Sequence, residues 1–224
     1  MYDWANSAFQ TTIIAAVFPI YFHNVVATDL GDRLSTSRFA WATTIAIVIV
    51  ALVAPLLGAI ADYAAMKKKM LGAFLGMGVV AMYWIRAGDW LFALVLFVVG
   101  NVAVAGSIVF YESLLPHLVS EHELDRVSSA GYAIGYLGGG VLLAINLLMI
   151  QQPAWFGIAD TGTAVRLSLA SVGSWWLVFS IPLFRRVPEP PRQIEPDETP
   201  SASLVGTGAR RLVETFRELR RFKQ

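Results

Sequence analysis

The strongest constraint in this 224-residue chain is a series of six apolar stretches of roughly bilayer-spanning length. They run over Trp4–Val26, Phe39–Ala61, Met70–Ile85, Trp90–Leu115, Ala130–Ile150 and Ala164–Phe184. A hydrocarbon core about 30 Å thick needs about 20 apolar residues per helix. Charges inside these stretches are almost absent, which argues against buried helices of a large soluble protein. A lipid-facing barrel would show short alternating segments instead. Composition points the same way: 56% of residues are hydrophobic, only 15% are charged, and the mean hydropathy is +0.60. A soluble domain would carry about a quarter charged residues. The third stretch is short, but Lys69 and Arg86 at its ends can snorkel to the interfaces. The expected fold is therefore all-α, a polytopic membrane protein of six transmembrane helices.

Several chemistries drop out early. The net charge of +1 gives no basic field for nucleic acid. With no cysteine, disulfides, zinc–thiolate sites, iron–sulfur clusters and thiol nucleophiles are excluded. His23, His117 and His122 are too scattered for a local metal motif, and no serine–carboxylate arrangement suggests hydrolysis. No catalytic residue, metal or cofactor is expected, and the chain does not read as an enzyme. The start lacks the basic region and cleavage site of a secretory signal.

The connections fit a helical bundle. Ala87–Asp89 is short enough to make the third and fourth spans antiparallel neighbours. After Phe184 the chain changes to Arg185–Arg186 and a run containing Pro188, Pro190, Pro191, Pro196 and Pro200, an extended linker. The expected organisation is a six-helix domain over 1–185, a Pro-rich linker over 186–210, and a basic amphipathic helix over 211–224. In that last segment Leu212, Phe216 and Leu219 share a face, and Arg211, Arg217, Arg220 and Arg221 cover the others. Orientation follows from cations near the span ends. Lys67–Lys69, Arg126, Arg185, Arg186 and Arg192 fall on one side, against Arg33, Arg38, Arg86 and Arg166 on the other. The excess places both termini in the cytoplasm. Arg33 and Arg38 after the first span run against it locally.

Polar groups inside a span are costly and normally face a cavity or a partner. In the first span Asp3, Asn6, Ser7 and Gln10 follow i, i+3, i+4, i+7 spacing and share one face. They read either as the wall of a solute pathway near the cytoplasmic mouth or as capping at the interface. Asn101 and Glu112 lie about three turns apart on similar faces of the fourth span. Glu112 suits a proton or cationic group, or a latch to Lys67, Lys68 or Arg126. In the fifth span Gly131, Gly135 and Gly139 form overlapping small-xxx-small repeats for close helix approach. A phosphate loop fails there, since no strand precedes it and no Lys-Ser/Thr follows. Tyr132, Tyr136 and Asn146 project from roughly one side, toward the pathway or into packing.

Two sets of residues carry a family resemblance. Gly58-Ala59-Ile60-Ala61-Asp62-Tyr63-Ala64-Ala65-Met66-Lys67-Lys68 resembles the cytoplasmic signature of the major facilitator superfamily. The resemblance implies a latch of Gly58, Asp62, Lys67 and Lys68 between two halves of a transporter. Ala65 and Met66 replace the usual glycine and arginine, so the latch leans on the lysines. Tyr2-Asp3-Trp4-Ala5-Asn6-Ser7-Ala8-Phe9, Phe18-Pro19-Ile20-Tyr21-Phe22, Tyr111-Glu112-Ser113-Leu114-Leu115-Pro116 and Gly131–Gly140 are similar to the branch that includes the yeast vacuolar amino-acid effluxer and its bacterial relatives.

That resemblance implies the N-terminal half of a twelve-span facilitator, built of 3+3 inverted repeats, with the solute site between halves. The expected function is secondary transport of a small polar solute, an amino acid among the candidates, by alternating access. Asp3, Asn6, Gln10, Asn101, Glu112, Tyr132, Tyr136 and Asn146 are the candidate pathway. The expected partners are membrane lipid, the solute, and a C-terminal six-helix half or second chain following where a seventh span is missing. The alternative is a non-transporting half-length module that dimerises or scaffolds a partner. The expected location is a bacterial inner membrane.

Overall fold

The computed structural model describes residues 1–63, 65–85 and 88–191, and side chains throughout these except 59–63. The linker and amphipathic helix expected beyond Pro191, the side chain of Asp62, and Arg86 lie outside the described residues. Six helices carry the fold: α1 (Tyr2–Val26), α2 (Gly31–Tyr63), α3 (Lys67–Trp84), α4 (Trp90–Glu112), α5 (Leu124–Gln151) and α6 (Thr161–Arg186). No strand occurs among the described residues. Five of the six helices are apolar and long enough to cross a membrane. The exception is α3, 18 residues long, whose first turn holds three lysines.

Two helices begin well before the apolar stretches that announced them. Expected to begin at Phe39, α2 begins at Gly31, and its 33 residues span about 50 Å. Expected at Ala130, α5 begins at Leu124. Hydropathy marks the hydrocarbon layer, whereas a helix satisfies its own backbone in water as well. The extra turns carry Asp32, Arg33 and Arg38 on α2, and Asp125 and Arg126 on α5.

The expected antiparallel pairing of α3 and α4 is present, and α2 packs chiefly on α4, with α1 wedged between α5 and α6. Side-chain size sets these approaches. Trp176 of α6 is fully buried, and a Cβ on Gly78 of α3 would sit 2.4 Å from its ring. At the far end Phe18 of α1 stacks on Phe97 of α4 with centroids 4.9 Å apart, and Phe39 of α2 closes the cluster. On α5 the small-residue seam receives α1. Added Cβ atoms would lie 2.7 Å from the Asp3 carboxylate at Gly131, 2.7 Å from Ser7 Oγ at Gly135, and 2.8 Å from the Ser7 carbonyl oxygen at Gly139. Trp175 Nε1 donates to the Trp4 carbonyl at 3.1 Å and ties α6 to the same helix.

Helix α1 departs from regular α geometry. Phe9–Ala16 and Phe22–Val26 are π-helical, with the Val17 N–H reaching back to the Thr12 carbonyl. Two local causes are visible. Thr11 Oγ1 lies 3.3, 3.3 and 3.0 Å from the Ser7, Ala8 and Gly139 carbonyl oxygens, and its one proton, shared among them, competes with backbone donors. Pro19 supplies no N–H to the turn before it.

Asp160 caps α6. Its carboxylate accepts the Thr163 hydroxyl at 2.7 Å and the Thr163 N–H at 2.9 Å. These bonds, the side-chain one first, hold its carboxyl below the ordinary value of 3.8. A lowered folded-state pKa stabilises above the ordinary value, and that contribution fades as pH falls through the folded one. The thermal midpoint of wild type should therefore exceed that of Asp160→Ala near neutrality, with the gap narrowing below about pH 3.8. A gap that stays constant or widens on acidification would contradict this role.

Candidate functional site

A polar cleft of about 100 Å³ opens between α1, α4 and α5 at the end of the bundle that also holds Lys67. From α1 it receives Asp3, Asn6, Ser7, Gln10 and Thr11, one side of the helix as the 3–4 spacing requires. The π-helical turn begins at Phe9, so Gln10 and Thr11 reach the cleft from widened backbone, a feature frequent at functional sites. From α4 come Ile108, Tyr111 and Glu112, and from α5 Tyr132 and Tyr136.

Two carboxylate–phenol pairs organise the cleft. Tyr111 donates to Asp3 Oδ2 at 2.5 Å, and Tyr132 donates to Glu112 Oε1 at 2.7 Å. Tyr111 also lies against the Tyr2 ring, centroids 4.6 Å apart. The pairs differ in hydration: Asp3 is 8% exposed and Asn6 6%, whereas Glu112, Tyr132 and Tyr136 form an open rim. None of the described lining residues is cationic. The cleft thus has a buried carboxyl group at its floor, amide and hydroxyl walls, and an exposed acidic mouth. That chemistry suits hydrogen-bond donors and positive charge. Among the described residues no group of three metal-ligating side chains occurs.

Of the sequence candidates, Asp3, Asn6, Gln10, Glu112, Tyr132 and Tyr136 meet here. Asn101 does not: it donates to the Phe97 carbonyl of its own helix at 2.8 Å. Asn146 does not either. It is fully buried between α5 and α6, accepting from Ser171 at 3.0 Å and donating to the Ser168 carbonyl at 3.4 Å. The ionic latch considered for Glu112 is replaced by its bond to Tyr132, and the ion pair among the described residues is Arg126–Glu123. Tyr111 was missed as a site residue, although its place beside Glu112 was the available signal.

Lys67 and Lys68, the lysines of the expected latch, sit at helix ends. Lys67 is buried and donates to the Ser113 carbonyl at 3.1 Å and to His117 Nε2 at 3.2 Å, at the close of α4. Lys68 Nζ donates to the Phe184 carbonyl at 3.0 Å and the Val187 carbonyl at 2.5 Å, while its own N–H is accepted by Glu189 at 3.1 Å. Cations complement the partial negative charge of helix C-termini. These described partners join α3, α4 and α6 within one bundle. Gly58 is half-buried and would admit a Cβ.

Six packed helices, five of them long and apolar enough to cross a membrane, with a polar cleft between three of the six, define a polytopic helical membrane protein. The family follows from comparison with known sequences. Residues 31–224 match the family described as "Vacuole effluxer Atg22 like", and the chain belongs to this major facilitator-type family. It is 31% identical over 193 residues to the uncharacterized MFS-type transporter YxiO of Bacillus subtilis, covering 84% of this chain and 45% of that protein. It is 31% identical over 114 residues to autophagy-related protein 22 of Yarrowia lipolytica, covering 44% of this chain and 18% of that one. Autophagy-related protein 22-1 of Phaeosphaeria nodorum is 27% identical over 215 residues, covering 77% and 38%. The chain thus spans less than half the length of these relatives. No solved structure matches it.

Proposed function

We propose that this bundle is one half of a secondary transporter that moves a small polar solute, an amino acid among the candidates, by alternating access. The observation that carries the reading is the polar cleft, with its two carboxylates each bound to a phenol from a different helix. Polar groups this concentrated are expensive in a membrane segment unless they serve a pathway. A solute bearing an ammonium group would find acceptors at Asp3 and Glu112, and hydrogen-bond partners at Asn6 and Gln10. Asn101 and Asn146 belong to this proposal as supports of α4 and α6 rather than as cleft walls. A second six-helix half, from further sequence or a second chain, completes the pathway. Membership of a family described as effluxers and the MFS-type name of the Bacillus relative support transport.

We further place both termini in the cytoplasm of a bacterial cell, where the lysines of α3 and Arg185 and Arg186 meet the inner face of the membrane. The same lysines, with Gly58 and Asp62, act as the cytoplasmic latch. The test is counterflow in proteoliposomes with labelled neutral, acidic and basic amino acids. At least one should exchange faster than in protein-free vesicles. Folded protein that moves none of them would overturn the amino-acid reading, and failure with a wider panel of polar solutes would overturn transport.

A further inference from the structure

A second cavity lies away from the polar cleft. It is a groove of about 630 Å³ between the end of α3, represented by Tyr83 and Trp84, and the start of α6, represented by Thr163, Arg166, Leu167 and Ala170. Its depth in the membrane follows from the helix ends. Trp84 closes α3, and the three lysines that open α3 lie at the other end. The groove therefore starts at the interface opposite the lysines, where tryptophan and tyrosine sit at headgroup level.

Its chemistry is divided along its length. The Arg166 guanidinium stands at the mouth, and Leu167 and Ala170 continue inward along α6. Trp84 is 61% exposed, Tyr83 54% and Leu167 46%. The Tyr83 and Thr163 hydroxyls are already engaged. The Tyr83 hydroxyl meets Ser174 Oγ at 2.6 Å, and Thr163 donates to Asp160 at 2.7 Å. Arg166 spends one N–H on Thr163 Oγ1 at 3.2 Å, which leaves most of its five donors for an anion. Asp160 and Asp89 are carboxylates near it: both oxygens of Asp160 are held by Thr163, and Asp89 Oδ1 accepts the N–H of Phe92, another lining residue. Among the described residues a small polar solute would find one charged anchor and then an apolar wall. A phospholipid matches both parts: a phosphate for the guanidinium and an acyl chain for the wall.

We propose that this groove holds one anionic phospholipid, its phosphate on Arg166 and an acyl chain along Leu167 and Ala170 beside Tyr83 and Trp84. The charge on Arg166 selects the headgroup, and the aromatic and aliphatic side chains retain the chain. The site stands apart from the polar cleft and does not depend on what that cleft carries.

Native mass spectrometry of the purified protein in mild detergent tests this, with phosphatidylglycerol and phosphatidylcholine of identical chains. Wild type should retain one phosphatidylglycerol in preference to phosphatidylcholine, and Arg166→Gln should weaken that binding about fivefold. Ala170→Trp, which fills the groove and keeps the cation, should lose it as well. Arg38 lies at the same end of the bundle, its guanidinium 5.5 Å from the Trp90 ring centroid. Arg38→Gln should bind lipid as wild type does. Equal loss in Arg38→Gln and Arg166→Gln would reduce the effect to surface charge and overturn the site. So would unchanged binding in Arg166→Gln, equal retention of both lipids, or displacement of the lipid by inorganic phosphate alone. Thermal midpoints in lipid-free detergent establish that each variant is folded. Should Ala170→Trp fail to fold, the two arginine variants decide between the outcomes.

Discussion

Alanine at Gly139 is expected to destabilise the bundle strongly, while alanine at the adjacent Gly140 is tolerated or stabilising. A Cβ at Gly139 would lie 2.8 Å from the Ser7 carbonyl oxygen and 3.0 Å from its carbon. Both are backbone atoms, and no rotamer change moves them aside. Either α1 withdraws from α5 or the helix bends. Withdrawal would also break the Thr11 bond to the Gly139 carbonyl, now 3.0 Å. Overpacking of this kind costs about 1–3 kcal/mol. At Gly140 an added Cβ meets nothing within 4 Å. There the substitution gains helix propensity, up to about 1 kcal/mol. The pair differs by one position and no chemistry, so thermal unfolding of the two variants in one detergent isolates the seam. Equal midpoints would mean that the close approach of α1 and α5 contributes nothing to stability.

This seam was legible in the sequence because glycine spacing along a helix specifies a face directly. The apolar stretches were legible for a related reason: a bilayer admits only self-satisfied backbone, so length and hydropathy nearly suffice. Helix ends were less so. Gly31–Arg38 and Leu124–Ser129 are largely polar and fall outside the apolar stretches, yet they continue α2 and α5 beyond the hydrocarbon layer. The 3–4 spacing of Asp3, Asn6, Ser7 and Gln10 gave a polar face that the cleft indeed uses.

Periodicity could not say which neighbour each polar group meets. Asn101 turns back to its own helix, and Asn146 is taken by two serines of α6. Glu112 finds Tyr132, twenty residues along the chain, through the packing of α4 on α5. Such partners depend on tertiary register, which no local pattern encodes. Tyr111 escaped notice for another reason. A tyrosine near a span end is ordinary interfacial chemistry, and only the position of Asp3 makes it a donor into the cleft.

The two carboxylate–phenol pairs should therefore respond unequally to loss of the phenol hydroxyl. Tyr111→Phe removes a donor from a carboxylate that is 8% exposed. Little water can replace it, and hydrogen bonds to charged groups contribute about 1.5–3 kcal/mol. Transport by the complete protein should fall about tenfold or more, with Asp3→Asn at least as severe. Tyr132→Phe strips the same bond from Glu112, but that group lies at the exposed rim, where solvent can substitute. Its loss should be no more than about threefold, given the smaller net worth of a solvated hydrogen bond. Gly131→Ala offers a check through geometry alone. Its new Cβ would lie 2.7 Å from Asp3 Oδ2, the oxygen that Tyr111 reaches. Asp3 must swing away, so this variant should resemble Tyr111→Phe in transport. Initial rates in proteoliposomes, normalised to folded protein, provide the comparison. A Tyr132→Phe defect as large as that of Tyr111→Phe would place the working carboxylate at the rim. The floor of the cleft would then be a structural anchor, and Asp3 would lose its place in the pathway.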